Sequence, residues 1–319
     1  MVCGGGLRKD GQKDTVIMKE DISKELESFV GGNIYAGISG LNLGVDEILL
    51  GEGMLLRKTY AHLTAPFIMA FKPASPGKHH PGPWKTAQGG FGFDITCELV
   101  IPREIKMETK GRFFLARLIV SLLRFSISPG IAVPVVSNLS FSVAEKAKDN
   151  EAIFIPLEIE PRHFSLKSSE NKDCIEKDFE WIKTHWKVAF GLVGKHAELK
   201  TAFEALDQGQ FIRNHSLILV LLWGGLEALF SPATSELRFR VSALIASYMN
   251  DSGKDRLKAY KRIIKLYDAR SSAAHGKSRP SIEDLVVTFE LLRQVVIKII
   301  EKKSIPSKEE LEGALFGVN

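Results

Sequence analysis

The sequence predicts an α+β protein, with a strand-rich mixed N-terminal domain followed by an all-α helical bundle. Three observations predict it. The first half carries short apolar or alternating runs bounded by Gly, Pro or charged residues, which is the pattern of strands. From about Asp173 onward the apolar residues recur at helical spacing. Between the two, the polar stretch 164–173 reads as a linker. The expected division is a mixed domain over 1–163, a linker over 164–173, a bundle over 174–305 and a C-terminal tail over 306–319.

In the first half, strands are expected over 34–41, 62–72, 93–101 and 152–159. One helix interrupts them over 111–125, where apolar residues sit at helical spacing with Arg112, Arg117 and Arg124 between. Residues 73–92 are rich in Pro and Gly and read as a long, mobile loop. In the second half, 174–205 has the spacing of one long helix, with Gly191 and Gly194 marking a break. The run 208–230 is apolar nearly all round, as in the middle of a bundle. Ser231-Pro232 ends it, and Thr234 caps a further helix that reaches Met249. Asn250 to Gly253 make a turn, a basic helix starts near Lys254, and 280–302 is a last amphipathic helix. About five antiparallel helices joined by short loops result.

Composition narrows the function classes. A chain of 319 residues suits roughly two domains. With 45% hydrophobic and 25% charged residues, disordered and fibrous classes are set aside. The longest uncharged apolar run, 216–226, stops at Glu227, short of the ~20 residues of a membrane span. The N-terminus lacks the apolar stretch of a secretory signal, so a cytoplasmic protein with no membrane partner is expected. Cys3, Cys97 and Cys174 are widely spaced, which favours a reducing compartment and argues against structural zinc. No metal or cofactor is expected.

Charge is unevenly placed. The whole chain is +5, yet 253–279 carries nine basic side chains against Asp255 and Asp268, a net of +7. Basic charge concentrated on one element suits a polyanion such as nucleic acid. Lys258, Lys261, Arg262, Lys265 and Lys277 are the candidate RNA-binding residues. The plain alternative is a solvated helix face.

This helix ends in Tyr267-Asp268-Ala269-Arg270-Ser271-Ser272-Ala273-Ala274-His275-Gly276. Arginine grips phosphate through two parallel hydrogen bonds. Histidine is the side chain that exchanges a proton near neutral pH. The spacing makes Leu257, Tyr260, Ile264, Tyr267, Ser271 and Ala274 the expected buried stripe, with Arg270 and His275 on its two flanks. An offset of ~140° separates residues five apart on a helix of ~3.6 residues per turn. One chain therefore does not bring them together by spacing alone. The helix has to end at His275, with Gly276 in the left-handed cap conformation, or a second copy has to lie opposite. Ser271, Ser272, Ala273 and Ala274 are small enough for a partner to approach closely.

Leu226-Glu227, Arg238-Phe239-Arg240, Leu266-Tyr267 and Arg270-Ser271 through His275-Gly276 form an ordered set. In this order, over about 174–303, the chain resembles the Apea-like branch of the HEPN superfamily. The resemblance implies a metal-independent endoribonuclease whose Arg and His meet those of a second protomer across a two-fold axis. His275 would act as general acid/base on the ribose 2′-hydroxyl or the leaving 5′-oxygen. Arg270 would bind the scissile phosphate, with Glu227, Tyr267 and Ser271 in support. A 2′,3′-cyclic phosphate and a 5′-hydroxyl are the implied product ends. Relatives serve as toxins or antiviral defence proteins, so an antitoxin or invader-derived trigger is an expected partner alongside RNA and a second copy. The rival reading is a non-catalytic HEPN module for RNA binding, dimerisation or sensing.

Other motifs carry less. Glu227 lies in an otherwise apolar helix and either holds the Arg270 guanidinium or faces water at a helix edge. His79-His80 beside Trp84 read as a solvated loop, because adjacent histidines rarely chelate one metal. His163, His185, His196 and His215 lack partner spacing. Gly4-Gly5-Gly6 and Gly89-Gly90-Phe91-Gly92 lack the strand–helix context of a phosphate-binding loop.

Overall fold

A computed structural model describes residues 29, 31–148, 151–159, 173–230, 237–277 and 279–318. Among them the first half forms one antiparallel sheet in the order β2-β3-β4-β1-β5-β6. Its strands are β1 (Ile34–Ser39), β2 (Glu47–Gly51), β3 (Met54–Ala70), β4 (Trp84–Ile101), β5 (Ala132–Ser137) and β6 (Phe154–Pro156). A second half of packed helices follows. The α+β class expected from the sequence is the class observed.

Two strands were not expected, and each has a local reason. β2 is five residues long and alternates exposed with buried positions, too short a run to stand out. Its hairpin to β3 turns on Gly51, Glu52 and Gly53, all at positive φ. β5 contains Pro134, and proline normally demotes a run because it cannot donate to the ladder. Here the β1–β5 register shifts between Gly37↔Val135 and Ser39↔Ala132, so the missing N–H falls within the irregularity. The loop expected over 73–92 is shorter than that, because β4 begins at Trp84 and takes in Gly89-Gly90-Phe91-Gly92.

Helix α1 (Thr109–Ser126) follows the sheet, and its fully buried Leu115, Ile119, Leu122 and Leu123 are enclosed from more than one side. The one-turn helix α2 (Phe141–Ala144) covers the other face, where Phe141 packs with Ile95 and Val135. Its start is pinned by the fully buried Glu98 carboxylate, which accepts from the Phe141 backbone N–H at 2.9 Å and the Ser140 hydroxyl at 3.0 Å.

The helical half contains α3 (Glu180–Lys195), α4 (Ala197–Gln208), α5 (His215–Phe230), α6 (Leu237–Met249), α7 (Lys254–Ala274), α8 (Ile282–Lys302) and α9 (Lys308–Phe316). The single helix expected over 174–205 is two helices. They part at His196, which is extended at φ −120° and ψ 110°, and not at Gly191 or Gly194, which stay helical. The stop expected at Ser231-Pro232 and the cap at Thr234 lie outside the described residues. The stretch 306–319, expected as a tail, carries α9. A Ser307/Glu310 capping box starts that helix, and its Leu311 is buried.

One apolar core runs from Ile34 and Leu99 in the sheet through α1 to Trp223 and Ile299 in the bundle. Polar ties cross the same junction. Arg124, whose side chain is 3% exposed, donates to Asp207 of α4 at 2.5 Å and to Glu158. Its Nε donates to the Ile131 carbonyl at 2.8 Å, and Ser121 also reaches Asp207 at 2.8 Å. Trp186 of α3 donates its indole N–H to the Leu50 carbonyl at 3.1 Å. The linker expected over 164–173 lies outside the described residues except Asp173, beyond which Cys174 bridges to Leu43. Cys97 and Cys174 are buried, and burial pushes the Cys97 thiol up, away from its reactive thiolate.

Removing one partner of a buried ion pair strands the other charge. We expect Asp207→Ala to lower unfolding stability in urea by about 3–5 kcal/mol. The transition should stay single by far-ultraviolet circular dichroism and by tryptophan emission, since sheet and bundle share a core. A loss under about 1 kcal/mol, or two separated transitions, contradicts this account.

Candidate functional site

α7 starts after Gly253, at φ 133°, and runs to Ala274 without a proline or a β-branched cluster to stop it. Its inward residues are Ile263, Leu266, Tyr267 and Ala273. This corrects the expected stripe: Leu257 and Ala274 are exposed, and Tyr260, Ile264 and Ser271 are only half-buried. The true stripe is rotated because α7 packs against α5 and α6 along one side, whereas α8 touches it less.

The rotation changes where Arg270 sits. It lies four residues after Leu266 and three before Ala273, on the inner stripe rather than on a flank. Its guanidinium donates to Glu227 of α5 at 3.0 Å, with the two side chains 23% and 19% exposed. The same guanidinium lies 5.6 Å from the Tyr267 ring centroid, within cation–π range. Tyr267 in turn meets Trp223 edge-on at 5.0 Å. Burial pushes the Tyr267 phenol up, the Glu227 carboxylate adds to this, and Arg270 opposes it.

Three side-chain atoms of this cluster, Arg270 Nε, Glu227 Oε1 and Trp223 Nε1, are buried and have no hydrogen-bond partner among the described residues.

His275 is elsewhere. It is the residue after the last turn of α7, exposed, with its backbone N–H on the Ser271 carbonyl at 3.2 Å. Gly276 follows at φ 66°, the left-handed conformation expected of a cap glycine. Arg270 thus faces α5 while His275 faces solvent at the helix end. Ser271 and Ser272, between them, are half-buried.

The basic residues lie where the charge pattern put them. Lys258, Lys261, Arg262, Lys265 and Lys277 are all exposed. Lys258 and Arg262 border a groove of about 570 Å³ between α7 and α8, floored by Ile263, Leu266 and Val287. Arg238 of α6 forks onto Asp268 at 2.6 and 2.7 Å and holds that carboxyl below its usual range. This pair ties α6 to the motif turn, a link that spacing did not suggest.

A second cluster of titratable side chains was missed. His62 Nδ1 lies 2.8 Å from Asp94 Oδ1, and the Tyr60 hydroxyl donates to the same oxygen at 3.2 Å. His62 and Asp94 are directly opposite in the β3–β4 register, which only strand pairing reveals. The His62 ring lies over Gly92, where a Cβ would come within 2.7 Å of Nε2. His79 is exposed, and His80 bonds the Lys72 carbonyl at 2.9 Å. His185 bonds the Trp181 carbonyl at 2.8 Å, His196 joins two helices and His215 begins α5. His163 lies outside the described residues. Among those described, no three His, Cys, Asp or Glu side chains gather closely enough to hold a metal ion.

Glu227→Leu should leave a largely buried guanidinium without its acceptor and lower stability by about 1–3 kcal/mol in urea unfolding. Glu227→Gln keeps an acceptor and should cost less. Equal losses for the two would show that the Arg270 contact is not what Glu227 supplies.

No known protein family, curated protein or solved structure matches the chain, so what the site does is argued from its own geometry.

Proposed function

We propose that the chain is a metal-independent endoribonuclease of the HEPN type, acting as a homodimer. The observation that carries this reading is Arg270. It is held by Glu227 and Tyr267 on the helix whose end carries the exposed His275, and Arg270 Nε and Glu227 Oε1 are buried without a partner among the described residues. Within one chain the two side chains face apart, so a site using both needs a second α7 opposite the first.

In that site His275 takes the proton of a ribose 2′-hydroxyl. The oxygen attacks phosphorus, the bond to the 5′-oxygen breaks, and an imidazolium returns a proton to that leaving oxygen. Arg270 neutralises the charge that builds on the phosphoryl oxygens. Glu227 and Tyr267 act on Arg270 by position, and Ser271 stands between it and His275. A 2′,3′-cyclic phosphate and a 5′-hydroxyl result. Lys258, Lys261, Arg262, Lys265 and Lys277 hold the RNA strand. A cytoplasmic toxin or antiviral effector is the role this chemistry serves, restrained by an antitoxin or released by an invader-derived trigger. On this reading the N-terminal half senses it.

One observation favours a second reading. The carboxylate on Arg270 comes from the same chain, as it would for an arginine whose task is packing. A non-catalytic module for RNA binding, dimerisation or sensing would be built this way.

Purified protein should cleave mixed RNA equally with and without EDTA and leave cyclic phosphate ends. Arg270→Ala and His275→Ala should each lower the rate by about 10²-fold or more. Loss of cleavage with EDTA, or its survival in both variants, would falsify the mechanism. Binding without cleavage would select the second reading.

Reversing charge at Lys258, Lys261 and Lys265 together should weaken RNA binding and flatten its dependence on salt by about three phosphate contacts. Unchanged affinity and slope would remove α7 from the RNA interface.

A further inference from the structure

β3 and β4 outrun their sheet. β2 pairs with β3 only as far as Arg57, and β1 pairs with β4 only from Cys97 to Ile101. Beyond Leu63↔Phe93, among the described residues, the two strands pair only with each other, out to Ala70↔Trp84. At 3.4 Å per residue this two-stranded arm reaches roughly 25 Å. A lone hairpin is marginal in water, so its composition is informative.

From Leu63 to Phe93 the chain contains no Asp or Glu, while Lys72, Lys78, Lys85, His79 and His80 fall within it. The arm also displays large apolar side chains: Ile68, Met69, Phe71 and Trp84 are each more than half exposed. The register puts Ile68 on one face with Trp84, and Met69 on the other with Lys85. Each face therefore carries an apolar side chain near the end, with Lys85 on the Met69 face and Lys72 and Lys78 in the connecting loop. The tip is tied to itself. Trp84 donates its indole N–H to the His80 carbonyl at 3.1 Å, and His80 bonds the Lys72 carbonyl at 2.9 Å. With its polar atom satisfied, the indole turns an apolar body to solvent.

An exposed apolar patch of this kind marks a contact surface. A second copy is disfavoured, because two arms of like charge repel. A single-stranded RNA platform uses rings on which bases stack; Phe71 and Trp84 are rings, but Ile68 and Met69, as exposed as they are, offer none. An anionic lipid interface takes both faces at once. Apolar and aromatic side chains enter the acyl boundary while lysines stay among the headgroup phosphates.

We propose that the end of the β3–β4 arm docks on an anionic membrane surface, with Ile68, Met69, Phe71 and Trp84 inserted and Lys72, Lys78 and Lys85 on the headgroups. The expectation of no membrane partner rested on the lack of a spanning segment, and no helix among the described residues is long and apolar enough to cross. Shallow docking needs none. The proposal is independent of the nuclease reading.

The test is co-sedimentation of the full chain with vesicles of phosphatidylcholine alone and of phosphatidylcholine mixed with phosphatidylglycerol. Binding should favour the anionic vesicles and fall with salt. Lys72→Glu, Lys78→Glu and Lys85→Glu together should weaken it roughly a hundredfold. Ile68→Ser, Met69→Ser, Phe71→Ser and Trp84→Ser together should also release the protein, at an unchanged thermal transition. In the otherwise unaltered chain, brominated acyl chains should quench a part of the tryptophan emission that Trp84→Phe removes. Equal affinity for neutral vesicles, no Trp84-dependent quenching, or arm variants that lose RNA binding while vesicle binding persists, would each overturn the proposal.

Discussion

The buried guanidinium of Arg124 is the point on which the architecture turns. It projects from α1 and is met by Asp207 from the bundle, Glu158 from beyond β6 and the Ile131 carbonyl ahead of β5. A cation without these acceptors is not tolerated in such a place, since desolvation outweighs any packing gain. The three segments therefore have to arrive together. Apolar contact alone would let the sheet slide over α1, because hydrophobic burial is non-directional. The ion cluster fixes the register between the halves, and the shared core then does the stabilising.

That arrangement explains which parts of the sequence were readable. The helix over 111–125 and the extent of the basic helix follow from spacing within one segment, and both lie within a few residues of where they were expected. β5 did not, because the bulge that accommodates Pro134 exists only once β1 lies beside it. The phase of α7 did not either. Its stripe was read from Leu257 and Ile264, yet the packing of α5 and α6 selects Ile263 and Leu266. Apolar residues on both flanks of a helix leave such a choice to tertiary contact.

The candidate site divides in the same way. Glu227, Tyr267 and Arg270 could be nominated from residue type and order, and the structure brings these three together. The Arg238–Asp268 fork and the His62–Asp94 pair depend on helix packing and strand register, which no local pattern encodes. His275 lies at the helix end as expected, and its offset from Arg270 is fixed by the helix, but which of the two turns inward depends on the phase that the sequence left open. An arginine turned inward serves a substrate only if that substrate, or a second helix, reaches the gap between α5 and α7.

Gly225 sits on α5 two residues before Glu227. A Cβ there would lie 3.0 Å from the Ala202 backbone and 3.1 Å from Leu292. It is thus a spacer of zero thickness between α4, α5 and α8. A methyl group at that point would force the helices to give by a few tenths of an ångström. The same displacement would carry the Glu227 carboxylate with it, and a hydrogen bond of 3.0 Å has little slack. The aim of the Arg270 guanidinium is therefore set partly by a residue that has no side chain and never touches it.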